Sequence, residues 1–186
     1  MNGLSVPLRG NKLAAALFTA VVAYALNGAA IAQCTAGSQA ANLGYTLKDM
    51  HGDDVDLADY AGNVILLDFW ATWCAPCRIE IPGFIEMVEN YGQQGFSVLG
   101  ISIDDPPDAL QAYAEELGMN YPVLIGDGRD DVKDEYGPLI GFPTSVIIDR
   151  DGTICHRHIG YTPKERFIED IEALLPVDRS GERAEG

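Results

Sequence analysis

Apolar and polar positions follow two periods along this chain. Val64–Trp70 (V-I-L-L-D-F-W) is almost continuously apolar, the pattern of a central strand buried on both faces, and Phe96–Ile103 repeats it. Between them, Cys74–Tyr91 has helical spacing, with Ile79, Phe84, Ile85 and Val88 able to share a face. Pro82 inside it predicts a kink. Asp104-Asp105-Pro106-Pro107-Asp108 ends the second strand and starts a helix, at Pro107 or Asp108, that runs to about Leu117. Tyr121–Ile125 predicts a short strand and Asp130–Tyr136 a short helix. Thr144–Ile148 and Thr153–Ile159 predict two strands joined by the turn Asp149-Arg150-Asp151-Gly152. Pro163–Leu175 is amphipathic, with Phe167, Ile168, Ile171 and Leu174 apolar, and Pro176 stops it. Upstream, Gly44–Leu57 predicts a hairpin: Y-T-L, a turn at His51-Gly52-Asp53, then V-D-L.

The order strand–helix–strand–helix, then a hairpin and a last helix, predicts an α/β fold: a central mixed sheet with helices on both faces and an N-terminal β-hairpin. Residues 43–176 form the expected domain, 33–42 a small polar linker and 177–186 a polar tail. Residues 1–32 read differently. Arg9 and Lys12 precede an apolar stretch and Ala30-Ile31-Ala32, as in a secretory signal cut after Ala32. Leu13–Ala32 is also about long enough for an uncleaved anchor, and Ile31-Ala32-Gln33-Cys34 resembles a bacterial lipoprotein box. All three readings put the folded part outside the cytoplasm, in the periplasm or on the outer face of the inner membrane, where disulfides persist. The membrane then enters only through that segment or a lipid. A net charge of -16 over 186 residues repels nucleic acid and sets that partner class aside.

The chemistry concentrates at W-A-T-W-C-A-P-C-R, residues 70–78, where the first predicted strand gives way to a helix. Open α/β sheets place their sites at such carboxyl ends. A C-x-x-C on the first helical turn sets two sulfurs within bonding range. The first faces free backbone N–H groups and the positive end of the helix dipole, which stabilise a thiolate. Cys74 is therefore the expected nucleophile. Cys77, one turn in and more buried, is the expected resolving thiol that attacks a mixed disulfide. Pro76 suits this first turn because it lacks an N–H that would be orphaned there. A structural zinc site needs four ligands, and neither Cys34 nor Cys155 is half of a second pair, so no metal is expected. His156 and His158, i and i+2 on a strand, share a face and read as a solvated pair. A purely structural bond across so short a loop as Cys74–Cys77 would remove little unfolded-state entropy. The redox-active disulfide itself is the expected working group, with no further cofactor.

V-I-L-L-D-F-W-A-T-W-C-A-P-C-R resembles the active-site segment of the thioredoxin superfamily. Glu80-Ile81-Pro82, S-V-L-G-I-S-I-D-D, Y-G-P-L-I-G-F-P-T-S-V-I-I-D-R-D-G-T-I and L-K-D-M-H-G-D-D-V-D-L-A-D-Y-A-G-N-V narrow it. Together they resemble the extracytoplasmic TlpA/ResA-type thiol–disulfide oxidoreductases over about Leu43–Leu175, and imply a thioredoxin-like fold. The resemblance implies that Pro143 is a cis-proline facing the cysteine pair. With Phe142, Thr144, Trp73, Ala75 and Pro76 it would meet an extended substrate chain. Asp68 matches the buried acid of thioredoxin, where many TlpA/ResA-type proteins have another residue. Such a carboxyl would have a raised pKa and relay a proton to or from Cys77. Glu80 matches the acid after C-x-x-C and, three residues beyond Cys77, can share its side of the helix. Cys155 reads as a small buried free thiol; pairing with Cys34 is the alternative, which lipidation of Cys34 would exclude.

The resemblance implies a monomeric reductase that takes electrons from a membrane dithiol donor. It would pass them to clients with cysteine pairs, such as apocytochrome c or copper-site proteins. The proline in Ala75-Pro76 is typical of reductases; oxidases more often carry a histidine there, which stabilises the reduced thiolate. Two other readings stay open. One is a copper carrier using Cys74, Cys77 and a histidine, since soft thiolates suit Cu(I). The other is a peroxiredoxin-like peroxidase, although neither Cys74 nor Cys77 fits P-x-x-x-T-x-x-C.

Overall fold

All seven residues of β3, Val64–Trp70, are buried. The reason is its place at the centre of a five-stranded sheet. The computed structural model describes residue 34 and residues 38–176; the expected signal segment 1–32 and tail 177–186 lie outside the described residues. β3 pairs in parallel with β4 (Phe96–Ser102), which pairs in parallel with β5 (Val123–Ile125). On its other side β3 pairs antiparallel with β6 (Thr144–Ile148), and β6 with β7 (Ile154–Ile159). The sheet is mixed, as the run of strands and helices predicts.

Alternating β3 residues feed opposite layers. Ile65, Leu67 and Phe69 pack with Leu47, Leu57, Val132 and Tyr136. That layer holds a hairpin of β1 (Thr46–Lys48) and β2 (Asp54–Asp56), a 3₁₀ turn at Leu57–Tyr60, and the short helix α3 (Asp130–Glu135). Val64 and Leu66 pack with Phe84, Met87, Phe167 and Ile171 on α1 (Ala75–Tyr91) and α4 (Lys164–Glu172). Trp70 joins Cys74, Cys77 and Ile81 with Leu110, Tyr113 and Ala114 of α2 (Pro107–Leu117). Helices thus cover both faces. Among these described helices none is long and apolar enough to cross a membrane.

α1 runs unbroken through Pro82. Its buried positions are Cys77, Glu80, Ile81, Phe84 and Met87, with Ile85 and Val88 partly buried. This corrects the helical face read from the sequence: Ile79 is 64% exposed, and the acid beside it is buried in its place. The helix turns Ile79 outward because its inner side there is occupied by Cys77 and Glu80.

Both edges of the sheet are covered. Asp49 bridges Leu124, and the Met50 N–H reaches the Val123 carbonyl, so the hairpin shields β5. At the other edge Ala40 bridges Thr153, with Ala41 N–H to Gly152 and Ile154 N–H to Gln39. Residues 38–41, expected as linker, are therefore held by backbone bonds along the start of β7. They lead back toward Cys34, which forms a disulfide with Cys155, Cα to Cα 4.7 Å, across 121 residues. The expected free thiol at Cys155 is corrected by this pairing. Cys155 is half-buried on an edge strand, open to the returning N-terminal segment, and is not a core hydrophobe.

Candidate active site

The end of β3 and the start of α1 build the site. Cys74 is the N-cap of α1, with an extended backbone (φ −80°, ψ 101°), and its Sγ receives the Cys77 N–H at 3.3 Å. That is one of the orphan donors of a helix start, aimed at the sulfur where a thiolate would form. Cys74 and Cys77 are joined by a disulfide, Cα to Cα 5.3 Å, and both are buried. Ala75 at the surface and half-buried Pro76 complete the turn.

A polar clamp fixes the loop that enters it. Asp105, buried just beyond β4, accepts the Thr72 N–H at 2.8 Å, the Thr72 hydroxyl at 2.6 Å and the Ser102 hydroxyl at 2.7 Å. Its neighbour Asp104 accepts the Trp73 Nε1–H at 3.0 Å. Trp73, 62% exposed, stands edge-on to Phe142, ring centres 6.4 Å apart. Phe142 also packs on the cluster that contains both cysteines. The Phe142–Pro143 peptide is cis, as expected, and so is Gly137–Pro138, which the sequence reading did not anticipate. Thr144 is buried and donates to the Gly141 carbonyl at 2.7 Å. The exposed large apolar side chains of the described residues are Trp73, Ile79, Ile140, Ile159 and Tyr161. Trp73 and Ile79 flank the cysteine turn in sequence. Ile140 precedes the cis-proline, and Ile159 Cγ2 lies beside Gly141. The cysteine turn and the cis-proline loop thus carry an apolar rim.

Two buried acids lie on the elements that carry the cysteine pair, Asp68 on β3 and Glu80 on α1. Asp68 is 2% exposed on β3, between Gly100 of β4 and Ser145 of β6, whose hydroxyl donates to its Oδ1 at 2.8 Å. Burial raises its pKa to about 7 against the lowering effect of that bond. Gly100 matters here: a Cβ would come within 3.1 Å of Trp70 Nε1 and 3.3 Å of Tyr121, which roof this part of the sheet. Glu80 is also buried, and its Oε1 accepts the Thr162 N–H at 2.6 Å. Burial first, then the Asp68 charge, raises its pKa to about 8. Its Oε2 is buried without a partner, as are Trp70 Nε1 and the Tyr113 hydroxyl. Among the described residues neither acid is paired with a lysine, and both are buried.

His156 and His158 are not the solvated pair expected. They stack at 9° between ring planes and face Asp170 of α4. His158 Nε2 is 2.8 Å and His156 Nδ1 3.6 Å from that buried carboxylate, which Arg166 also holds at 2.7 Å. Elsewhere, Cys34, Cys155 and Asp149 bring three potential metal-ligand atoms within 4.8 Å of one another. With both sulfurs in a disulfide, neither is a thiolate that could bind an ion.

Sequence reading missed Asp105, Thr72, Ser145 and Thr162. Their signal lies in pairing register and loop approach, which a linear pattern does not carry.

Known proteins agree with this geometry. The AhpC/TSA family profile matches residues 36–157. The thiol-disulfide oxidoreductase ResA of Geobacillus kaustophilus is 34% identical over 134 residues, 71% of this chain and 75% of that protein. A thioredoxin family thiol:disulfide interchange protein from Chlorobium tepidum superposes with a TM-score of 0.68 at 25% identity, over 75% of this chain and 97% of its own. The exposed lipoprotein thioredoxin Etrx1 of Streptococcus pneumoniae gives a TM-score of 0.61 at 26% identity, over 70% and 98%. With its cysteine pair capping α1 beside a cis-proline loop, and with these matches over most of its length, the chain belongs to the AhpC/TSA family, as a thioredoxin-fold thiol–disulfide oxidoreductase.

Proposed function

We propose that this protein works outside the cytoplasm as a disulfide reductase. It takes electrons from a membrane dithiol and delivers them to client proteins with oxidised cysteine pairs, of the cytochrome c maturation or copper-site assembly kind. The observation that carries the reading is the cysteine pair at the N-terminus of α1, rimmed by apolar side chains, with two buried acids on the strand and helix that hold it.

In the reduced protein the Cys74 thiolate, facing the Cys77 N–H and the helix dipole, attacks a client disulfide. One client sulfur leaves and a mixed disulfide forms. Cys77 then attacks Cys74 Sγ, which closes the Cys74–Cys77 bond and frees the second client sulfur. Cys77 must lose its proton to do so. Asp68, with a pKa of about 7, is matched to that task at neutral pH, and Glu80, at about 8, still holds its own proton. Trp73, Ala75, Pro76 and Phe142 form the surface for an extended client chain, with buried Pro143 and Thr144 holding the loop behind it, and the apolar rim favours clients presented unfolded. Electrons reach the oxidised pair by the reverse exchange with the membrane dithiol, with no other cofactor. The lineage of Cys74 as helix cap, with Ala71 three residues before it, favours exchange over peroxide chemistry. His156 and His158 face Asp170 from β7, not from β3 or α1, the elements that carry the cysteine pair, which counts against a copper site built on Cys74 and Cys77.

The test is the reduction potential of the Cys74–Cys77 pair, by redox-buffer titration with thiol counting. A potential near thioredoxin's, about −270 mV, or somewhat higher but well short of about −180 mV, is expected. A value around −120 mV would mark a disulfide-forming oxidase and reverse the direction of electron flow.

A further inference from the structure

Asp68, Ser145 and His158 stand directly opposite one another on β3, β6 and β7. Opposite residues in paired antiparallel strands carry their side chains on the same face, with Cβ atoms roughly 4.5–5.5 Å apart. The three therefore form one row from the centre of the sheet to its edge strand, on the face covered by α1 and α4. The next row is Leu66, Ile147 and His156, apolar until its last member. The Asp68 row is polar throughout. At its inner end the Ser145 hydroxyl donates to Asp68, both buried. At its outer end His158 lies 2.8 Å from Asp170, a buried carboxylate that α4 supplies with Arg166 beside it. Asp170 and His158 open outward at His156 and Arg166, whose side chains are 30% and 50% exposed.

We infer that Ser145, His158 and Asp170 form the route by which the proton taken up at Asp68 leaves the buried site. The inference rests on the reading of Asp68 as the base for Cys77. One proton moves and no electrons do. The Cys77 S–H bond breaks and an O–H bond forms on Asp68. The Asp68 O–H is then given to Ser145 Oγ, and the Ser145 hydroxyl, which points to Asp68 in this structure, turns to pass its proton to Nδ1 of His158, its cross-strand neighbour. Nε2–H of that ring donates to Asp170, which leaves Nδ1 as its acceptor. The imidazolium is held by Asp170 until it releases a proton to solvent. Burial lowers the His158 pKa against the opposing pull of Asp170, which favours the neutral ring that can accept a proton. The groups facing Asp68 are Glu80 from α1, Tyr121 from the segment before β5, and Ser145. Those facing His158 are Asp170 and Arg166 from α4 and His156 on its own strand. Ser145 and His158 are positioning and relay residues, not groups that touch the client.

The experiment mixes the reduced full chain with dithiobis(nitrobenzoate), whose thiolate products stay ionised and absorb light, in weak buffer with a pH-indicator dye. Thiolate absorbance reports exchange; the dye reports the proton. In the parent protein the two signals are expected to coincide. In Ser145→Ala and His158→Ala the dye is expected to lag the absorbance about tenfold, with added imidazole restoring His158→Ala and leaving Ser145→Ala slow. Coincident signals in both variants would overturn the relay. Asp68→Asn separates the two claims. If it slows Cys77 attack while the other variants release protons on time, Asp68 is the base and its proton leaves by another path. If it changes nothing, the reading of Asp68 falls and the relay with it. Should His158→Ala not fold, Ser145→Ala decides alone.

Discussion

Asp68 and Glu80 each have a native pKa above the ordinary carboxyl value, to about 7 and about 8, with burial as the leading cause. The unfolded chain gives up these protons near pH 4, before the native state does. Between those limits the native state binds more protons than the unfolded one, so stability falls as pH rises. The fall runs from about pH 4 to about 7 for Asp68 and on to about 8 for Glu80, then levels off. Denaturant unfolding of the oxidised protein from pH 4 to 9 is expected to show this slope. Asp68→Asn should remove the lower part of it and stabilise the protein at pH 8, on the order of 2–4 kcal/mol. Glu80→Gln should flatten the upper part, because the amide oxygen can still accept the Thr162 N–H. A flat profile in the parent protein would mean that the two acids ionise as freely in the native state as in the unfolded chain. The same raised values that cost stability suit the pair to proton transfer at neutral pH.

The loop from β3 into α1 depends on an element that is distant in sequence. Asp105, 33 residues beyond Thr72, accepts three donors, two of them from Thr72 itself. Asp105→Ala leaves these donors without their acceptor and should cost about 3 kcal/mol. It should also slow the Cys74 thiolate, since the Thr72 segment that leads into the helix cap loses its anchor. Thiol alkylation rates read beside thermal unfolding check both; an unchanged alkylation rate would show that α1 holds Cys74 without help from β4. The elements themselves were largely legible. β3 and β6 match their sequence bounds because strands buried on both faces read as continuous apolar runs. α1 was legible as a helix and misread as a surface. Its second turn exposes Ile79 and buries Glu80, an inversion of amphipathic order that occurs where chemistry displaces packing. Cys74, Cys77 and the cis-proline were legible because short motifs carry them. The Asp105 clamp and the Asp68–Ser145–His158 row were not, because strand register brings those residues together.

Over the whole molecule, the N-terminal segment closes the structure in a way that its small polar composition concealed. Backbone pairing of residues 39–41 with the β6–β7 turn gives little apolar burial, so hydrophobic patterning has nothing to report there. The Cys34–Cys155 bond adds what packing does not. It closes a loop of 121 residues, which contains the whole catalytic pair and most of the sheet. Cross-linking across so long a loop restricts the unfolded chain strongly, by about 4–5 kcal/mol on a chain-entropy account. The Cys74–Cys77 bond closes a loop with a sequence separation of 3, and restricts it far less. The two disulfides should therefore separate by consequence. Cys34→Ser with Cys155→Ser should lower stability by several kcal/mol and leave the reduction potential of the active pair nearly unchanged, because neither residue belongs to its cluster. Cys74→Ser with Cys77→Ser should abolish exchange while costing much less stability. Chemical denaturation and redox titration of both double variants decide it. A Cys34/Cys155 variant as stable as the parent would show that backbone pairing alone holds the segment. A variant with a shifted potential would show that the edge strand and the active pair are coupled through β6.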